Sequence, residues 1–295
     1  MTTQNRTDLS HLAGTAAHER GHELRLATLM MASRWRHVSD ATIAHMLLHE
    51  YGTTRPRYGA QLAKAGYLTK HKVPTGYRVD GARQVYSVSK EGYALLAEHE
   101  PNVQPARYKP AWSFMQHLLE LQMIAAANPN MRVAKSGWLT EPETRMLFDT
   151  KALVPDLSYL ERDGAVWIEL DRTPKNDLRL QHMVVRYAKL FERQGWNKPA
   201  MPTGQYLDRV FILVKTPHQL ERYRSFFDAP TLNETSLDDS RKIRVDAQKI
   251  KVKELLQGRV VITTVEAYQQ QVAEQAKQPA PQLKKSSWVF GKRGV

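Results

Sequence analysis

The segment from Val154-Pro155-Asp156 through Asp163-Gly164 to Glu169-Leu170-Asp171-Arg172 constrains this chain more than any other. Asp163-Gly164 is a strong hairpin signal, because both residue types tolerate the positive φ that tight hairpin turns require. Leu157–Glu161 and Ala165–Asp171 are therefore expected to pair antiparallel. The two-residue period of a strand puts Trp167, Glu169 and Asp171 on one face and Val166, Ile168 and Leu170 on the other. With Asp156 on the neighbouring strand, three carboxylates are expected to converge. Such an all-oxygen set suits Mg²⁺ or Mn²⁺. An ion there could lower the pKa of a bound water and stabilise a phosphodiester transition state. The competing reading is an acid cluster balanced by Arg172 and Arg179, since structural ion-pair networks imitate active sites.

Thr173 and Pro174 are expected to open a long helix reaching about Gln194. Arg179, His182, Arg186, Lys189 and Arg193 recur along it at spacings of three and four, giving one basic stripe. The stripe is either a solvated face or a phosphate-facing one. Arg209–Lys215 and Arg259–Thr264 read as buried strands, each followed by a helix. A helix over Ala111–Ala127 and a short strand over Met131–Lys135 precede the carboxylate segment. These pieces imply an α/β domain with a mixed sheet.

Composition narrows the partners. The chain has 295 residues, enough for two ordinary domains, and no cysteine. Disulfides, cysteine nucleophiles and thiolate zinc sites are thereby excluded, and a cytoplasmic location fits. No apolar run is long enough for a membrane span, and no secretory signal is visible. The net charge is +13, with +6 in residues 1–110 and +4 in residues 271–295. That distribution points to a polyanionic partner, nucleic acid first; a ribosomal or membrane surface would give the same net charge.

The N-terminal third shows where the anion would bind. A helix is expected over Glu23–Trp35. A second starts at Ser39 as N-cap, with Asp40 in its first turn. A turn at Gly52-Thr53-Thr54 leads into a third, with Pro56 in its first turn and Gly66 at its end. Alternating segments Tyr67–Val73 and Gln84–Ser89 then predict a hairpin, closed by a helix over Lys90–His99. The run from Arg83 to Tyr93 resembles the last wing strand and closing helix of winged-helix DNA-binding domains. In that arrangement the third helix recognises DNA, carrying Arg55, Arg57, Tyr58, Gln61 and Lys64, with Leu62 and Ala65 facing the core. Arg and Gln make bidentate contacts to guanine and adenine edges. Lys70, Lys72, Arg78 and Arg83 on the hairpin suit phosphates. A protein-docking module with a solvated basic face is the alternative. His18-Glu19-Arg20-Gly21-His22 matches the H-E-x-x-H zinc-peptidase pattern, but too little chain precedes it to wall such a site, and Gly21 weakens the required helix.

Taken together, Pro155-Asp156, the hairpin and Glu169-Leu170-Asp171-Arg172 resemble the PD-(D/E)xK nuclease core. With a winged helix ahead of them they resemble, over residues 20–265, the replication-relaxation family, which includes the MobC-type relaxases of mobilisable plasmids. The resemblance implies Asp156 and Glu169 as metal ligands and Glu120 as a possible further acid. Asp171 stands where the wider nuclease superfamily has its catalytic lysine, and Lys175, Arg172 or the basic stripe could substitute. A covalent intermediate would draw on Tyr159 or Tyr187. The expected organisation is a flexible N-terminus (1–20), a winged helix (21–101), a linker (102–110), a restriction-endonuclease-like domain (111–270) and a basic disordered tail (271–295). That tail carries Trp288 and Phe290, which could stack on single-stranded nucleic acid. The expected partners are duplex DNA, single-stranded DNA at a nick, and relaxosome or replication proteins. The expected activity is metal-dependent nicking. The rival expectation is a non-catalytic DNA-binding regulator or accessory factor.

Overall fold

The structure is a computed structural model that describes residues 4–77, 83–101, 103, 105, 110–132, 137–147, 153–161, 164–194, 206–238, 240 and 242–277. The side chains of residues 4–17, 145–147, 193–194 and 275–277 lie outside this description. The chain forms two compact units, one of Met1–Ala127 with Arg132–Ala134 and one of Asn128–Met131 with Lys135–Val295.

In the first unit α1 (Gln4–Trp35) buries Leu24, Thr28, Met31, Ala32 and Trp35, spaced three and four apart as one helix face demands. The backbone is helical from Gln4, so α1 starts well before Glu23, within the segment expected to be flexible. α2 (Asp40–Tyr51) begins in a capping box. Ser39 Oγ accepts from Thr42 N, and Thr42 Oγ1 accepts from Ser39 N. Gly52, at φ +63°, ends it. α3 (Tyr58–Lys64) follows, so Pro56 precedes this helix instead of lying in its first turn. Arg57 is the N-cap, with a left-handed φ of +61° and no side-chain cap bond. β1 (Leu68–Lys72) and β2 (Gln84–Val88) pair antiparallel, with Leu68 opposite Val88. Tyr86 ties the pieces together: its hydroxyl donates to Asp40 Oδ2 at 2.7 Å, and its ring lies against Gly59. A Cβ on Gly59 would meet that ring at 2.7 Å, so glycine lets α3 approach the hairpin closely. Ser89 caps α4 (Lys90–His99).

α5 (Trp112–Ala127), expected to open the second domain, belongs to the first unit. Its Met115 and Leu119 share a core with Val73 and Val85 of the hairpin, and Gln122 Nε2 donates to His37 O at 2.6 Å. The apolar content of α5 is thus spent on the hairpin base and on α2.

The second unit is built on a five-stranded mixed sheet in the order β3 (Trp138–Thr140), β4 (Leu157–Leu160), β5 (Ala165–Asp171), β6 (Leu207–Val214), β9 (Val260–Thr264). β3, β4 and β5 run antiparallel; β6 and β9 run parallel to β5. Of the expected strand at Met131–Lys135, Met131 lies in a 3-10 turn over Pro129–Met131 and residues 133–135 lie outside the described residues; the first described strand of this unit is β3. α6 (Glu141–Leu147) links β3 to β4. Gly164, at φ +154°, leads into β5, and a Cβ there would meet Tyr206 O at 2.7 Å. Asp163 lies outside the described residues.

α7 (Asp177–Gln194) covers one face of the sheet, with Leu180, Val184, Tyr187, Ala188 and Phe191 packed on Trp167, Val210 and Ile212. α8 (Pro217–Phe227) and α9 (Val252–Leu256) join the same core through Tyr223, Phe227, Val252 and Leu256. Between them an antiparallel ribbon of β7 (Leu232–Leu237) and β8 (Ile243–Ile250), unforeseen from sequence, packs on α7. α10 (Val265–Lys277) lies on the opposite sheet face, where Tyr268 meets Phe211 edge-on with ring centroids 5.2 Å apart. The chain beyond Tyr268 therefore still contributes to the core, since Tyr268 and Val272 are buried; residues 278–295 lie outside the described residues. Both units together make an α+β protein. Among the described residues no helix is long and apolar enough to cross a membrane.

Candidate functional site

Asp156 immediately precedes β4, and the register of Leu157 opposite Ile168 puts it across from Glu169. Its position is fixed by the strand beside it: Asp156 Oδ2 accepts from Leu170 N at 2.7 Å. Glu169 and Asp171 share the β5 face beneath α7 and α8, as the alternation predicts. Their partners differ. Tyr187 of α7 donates its hydroxyl to Glu169 Oε1 at 2.7 Å. Asp171 Oδ2 takes the hydroxyl of Tyr223 on α8 and the ammonium of Lys175.

Electrostatics separate the two β5 carboxylates further. Burial drives the Glu169 pKa well above the ordinary carboxylate value. The charge of Asp156 pushes the same way, and Asp171 adds to it; the Tyr187 hydrogen bond and Lys175 pull back. The site thus holds more negative charge than its environment favours. Such a pair is relieved either by a proton or by a cation.

The three expected carboxylates differ in their engagement. Asp171 is engaged by Tyr223 and Lys175, and among the described residues no group of three or more His, Cys, Asp or Glu is arranged to hold a metal ion. What remains is the pair Asp156–Glu169, with Lys175 beside it. Glu120 lies on α5 in the first unit, whereas that pair lies in the second, so it does not extend the pair within one unit. Tyr159 and Tyr187 are both buried, and burial raises both hydroxyl pKa values. Tyr223 was not foreseen; nothing distinguishes it in sequence from any other aromatic residue on an amphipathic helix.

The basic stripe of α7 is partly consumed by the β7–β8 ribbon. His182 Nδ1 lies 2.9 Å from Thr235 Oγ1, Lys189 pairs with Glu234 at 2.7 Å, and Gln181 Nε2 donates to Asn233 O. Arg179 is exposed and Arg186 half-buried, while the side chain of Arg193 lies outside the described residues. Among the described residues of the stripe, His182 and Lys189 are thus engaged by the ribbon, whereas Arg179 and Arg186 are outside those contacts.

In the first unit Arg55, Arg57, Gln61 and Lys64 are exposed around α3, and Lys70, Lys72 and Arg83 are exposed on the hairpin. Two expectations there are corrected. Tyr58 is buried, with the Arg55 guanidinium 5.4 Å from its ring centroid, so it supports the helix instead of reaching outward. Ala65 is exposed and does not face the core. Arg78 lies outside the described residues. His18 and Glu19 are exposed on α1, and His22 Nε2 lies 3.3 Å from His99 Nε2. No group able to hold a metal forms there among the described residues.

No curated protein and no solved structure matches the chain. Residues 29–203 match the replication-relaxation family. The match begins within α1 and ends beyond α7, so it takes in α3, the hairpin, Asp156, Glu169 and Lys175. It covers well over half of the 295 residues. On that ground the chain belongs to the replication-relaxation family.

Proposed function

We propose that this protein recognises duplex DNA through a winged helix-turn-helix in its first unit and nicks DNA with Mg²⁺ or Mn²⁺ at Asp156–Glu169, as a MobC-type mobilisation or replication-relaxation nuclease. Family membership supports a role in processing the DNA of a replicating or mobile element. The observation that carries the nicking is the placement of Asp156 opposite Glu169 across β4–β5, with the Glu169 pKa raised by burial and by that neighbour. The antiparallel β3–β4–β5, then α7, then parallel β6 support a PD-(D/E)xK-like core. The donor set fits a hard cation, since Mg²⁺ is commonly held by one or two carboxylates with water completing its shell. Bound there, the ion would supply positive charge to the scissile phosphate and acidify a water.

The residues of the chain do the rest. Tyr187 and the Leu170 N–H each hold one carboxylate oxygen in place. Lys175, anchored on Asp171, supplies the positive charge that the position of Asp171 itself lacks. Arg55, Arg57, Gln61 and Lys64 read base edges, and Lys70 and Arg83 grip phosphates. Arg179 and Arg186 extend the phosphate contacts in the second unit.

A non-catalytic DNA-binding role is the second reading, favoured by the engagement of Asp171 with Tyr223. The two separate on metal binding. Titration with Mn²⁺, followed by electron paramagnetic resonance, is expected to show one site lost in Glu169→Ala. Binding that is absent in the native chain, or unchanged in the variant, would leave the non-catalytic reading.

A further inference from the structure

α3 has a weak start of its own. It is seven residues long, too short to hold itself together in water. Its N-cap, Arg57, makes no side-chain cap bond, so the N–H groups of the first turn need a partner from elsewhere. One comes from α2: Asp40 Oδ1 accepts from Ala60 N at 3.3 Å. A carboxylate at this place also suits the positive end of the helix dipole.

Asp40 is in turn held from the hairpin. Its Oδ2 accepts the Tyr86 hydroxyl at 2.7 Å, a charge-assisted bond. Tyr86 is buried, and its backbone is fixed on both sides. It faces Lys70 across β1–β2, and it exchanges hydrogen bonds of 2.7 and 2.9 Å with Val38. Burial, and then the Asp40 charge, raise the hydroxyl pKa, so it stays a donor at neutral pH. The first turn of α3 lies directly on this pair, since a Cβ on Gly59 would meet the Tyr86 ring at 2.7 Å and Asp40 Oδ1 at 2.9 Å. Ala60 adjoins Gln61, and Arg57 begins the same turn. The contacts Tyr86–Asp40–Ala60 thus run from the hairpin that carries Lys70 to the turn that carries Arg57 and Gln61.

We propose that Asp40 and Tyr86 are positioning residues that fix the first turn of α3 on the hairpin and so set sequence discrimination through Arg57 and Gln61. The inference rests on the reading of α3 as the recognition helix. Base-edge contacts need a side chain held within hydrogen-bond reach of one edge, whereas phosphate contacts by long cationic side chains tolerate a shifted backbone. Loosening the turn therefore costs discrimination and spares non-specific affinity.

The full-length chain first selects duplexes from a random-sequence pool. Affinity for the enriched duplex and for a scrambled duplex of equal length is then measured by fluorescence anisotropy, across salt concentrations and well below the melting temperature. Tyr86→Phe removes one oxygen and keeps the ring on Gly59. It is expected to weaken binding of the enriched duplex roughly tenfold, about one base contact. The scrambled duplex and the salt slope should be unchanged, since the phosphate contacts persist. Asp40→Ala, which removes both hydrogen bonds, should lose at least as much. Adding Tyr86→Phe to it should cost nothing further, because the two act through one contact path. Circular dichroism identifies a variant that fails to fold, in which case Tyr86→Phe, the closest in shape, decides. Equal losses on both duplexes would show general destabilisation and overturn the inference, as would native discrimination in the variants. A pool that enriches no motif would remove the reading of α3 and the inference with it, so the two failures are distinct.

Discussion

Glu169 is the residue in which the account is most exposed to test. Burial and the Asp156 charge act in the same direction on it, so the folded chain holds its proton more tightly than the unfolded chain does. The sign of the linkage follows. With a raised folded pKa, the folded state binds the extra proton between the unfolded and folded values, so stability falls as pH rises through that window. Glu169→Gln imitates the protonated form and removes the loss. Without divalent ions the variant is expected to melt above the native protein at pH 8. The gap should close as pH falls towards about 4.3, where the unfolded carboxyl also takes its proton. Each kcal/mol regained should raise Tm by roughly 2–4 °C in a protein of this size. A Tm difference independent of pH would show that Glu169 is not a strained acid. Asp171 gives the contrasting lesson: its strand face was legible from alternation, but its engagement by Tyr223 depends on α8, 52 residues further on.

At the scale of elements, the proposed recognition surface is the testable object. Arg55, Arg57, Gln61 and Lys64 are exposed on and just before a seven-residue helix whose inner side buries Tyr58, Gly59 and Leu62. Arg55→Ala with Arg57→Ala is expected to weaken binding to a specific duplex by roughly 10- to 100-fold, the loss of about one bidentate base contact. Fluorescence anisotropy at fixed salt would measure it, and unchanged affinity would remove α3 from the interface. The hairpin, α4 and the cap of α2 were legible because local chemistry sets them: Ser39 and Ser89 as caps, alternation in the strands, and Gly52 at a left-handed C-cap. α5 was legible as a helix but not in its allegiance. Its apolar residues could equally have packed on a sheet, and only the three-dimensional core shows Met115 and Leu119 against Val73 and Val85. The β7–β8 ribbon escaped although Ile243, Val245 and Ala247 alternate with Arg244, Asp246 and Gln248: the run is short and almost wholly exposed, so no buried face distinguishes it from a polar loop.

At the scale of the whole molecule, the central claim is that one chain joins DNA recognition to a metal-dependent nicking centre. The family and the order of the segments were legible because Pro155-Asp156 and Glu169-Leu170-Asp171-Arg172 are local signatures, and residues 29–203 bear out the family. The engagement of Asp171 by Tyr223 was not legible, because it is a contact between side chains distant in sequence. The most direct measurement is nicking of a supercoiled plasmid carrying the origin region of the protein's own element, with Mg²⁺, with Mn²⁺ and with EDTA, beside Glu169→Ala. The account predicts relaxation with either metal, none with EDTA, and a loss of at least about a hundredfold in the variant, as expected when a principal electrostatic contributor is removed. Tight binding of that plasmid without relaxation under any metal would contradict it, leaving a protein that reads DNA and does not cut it.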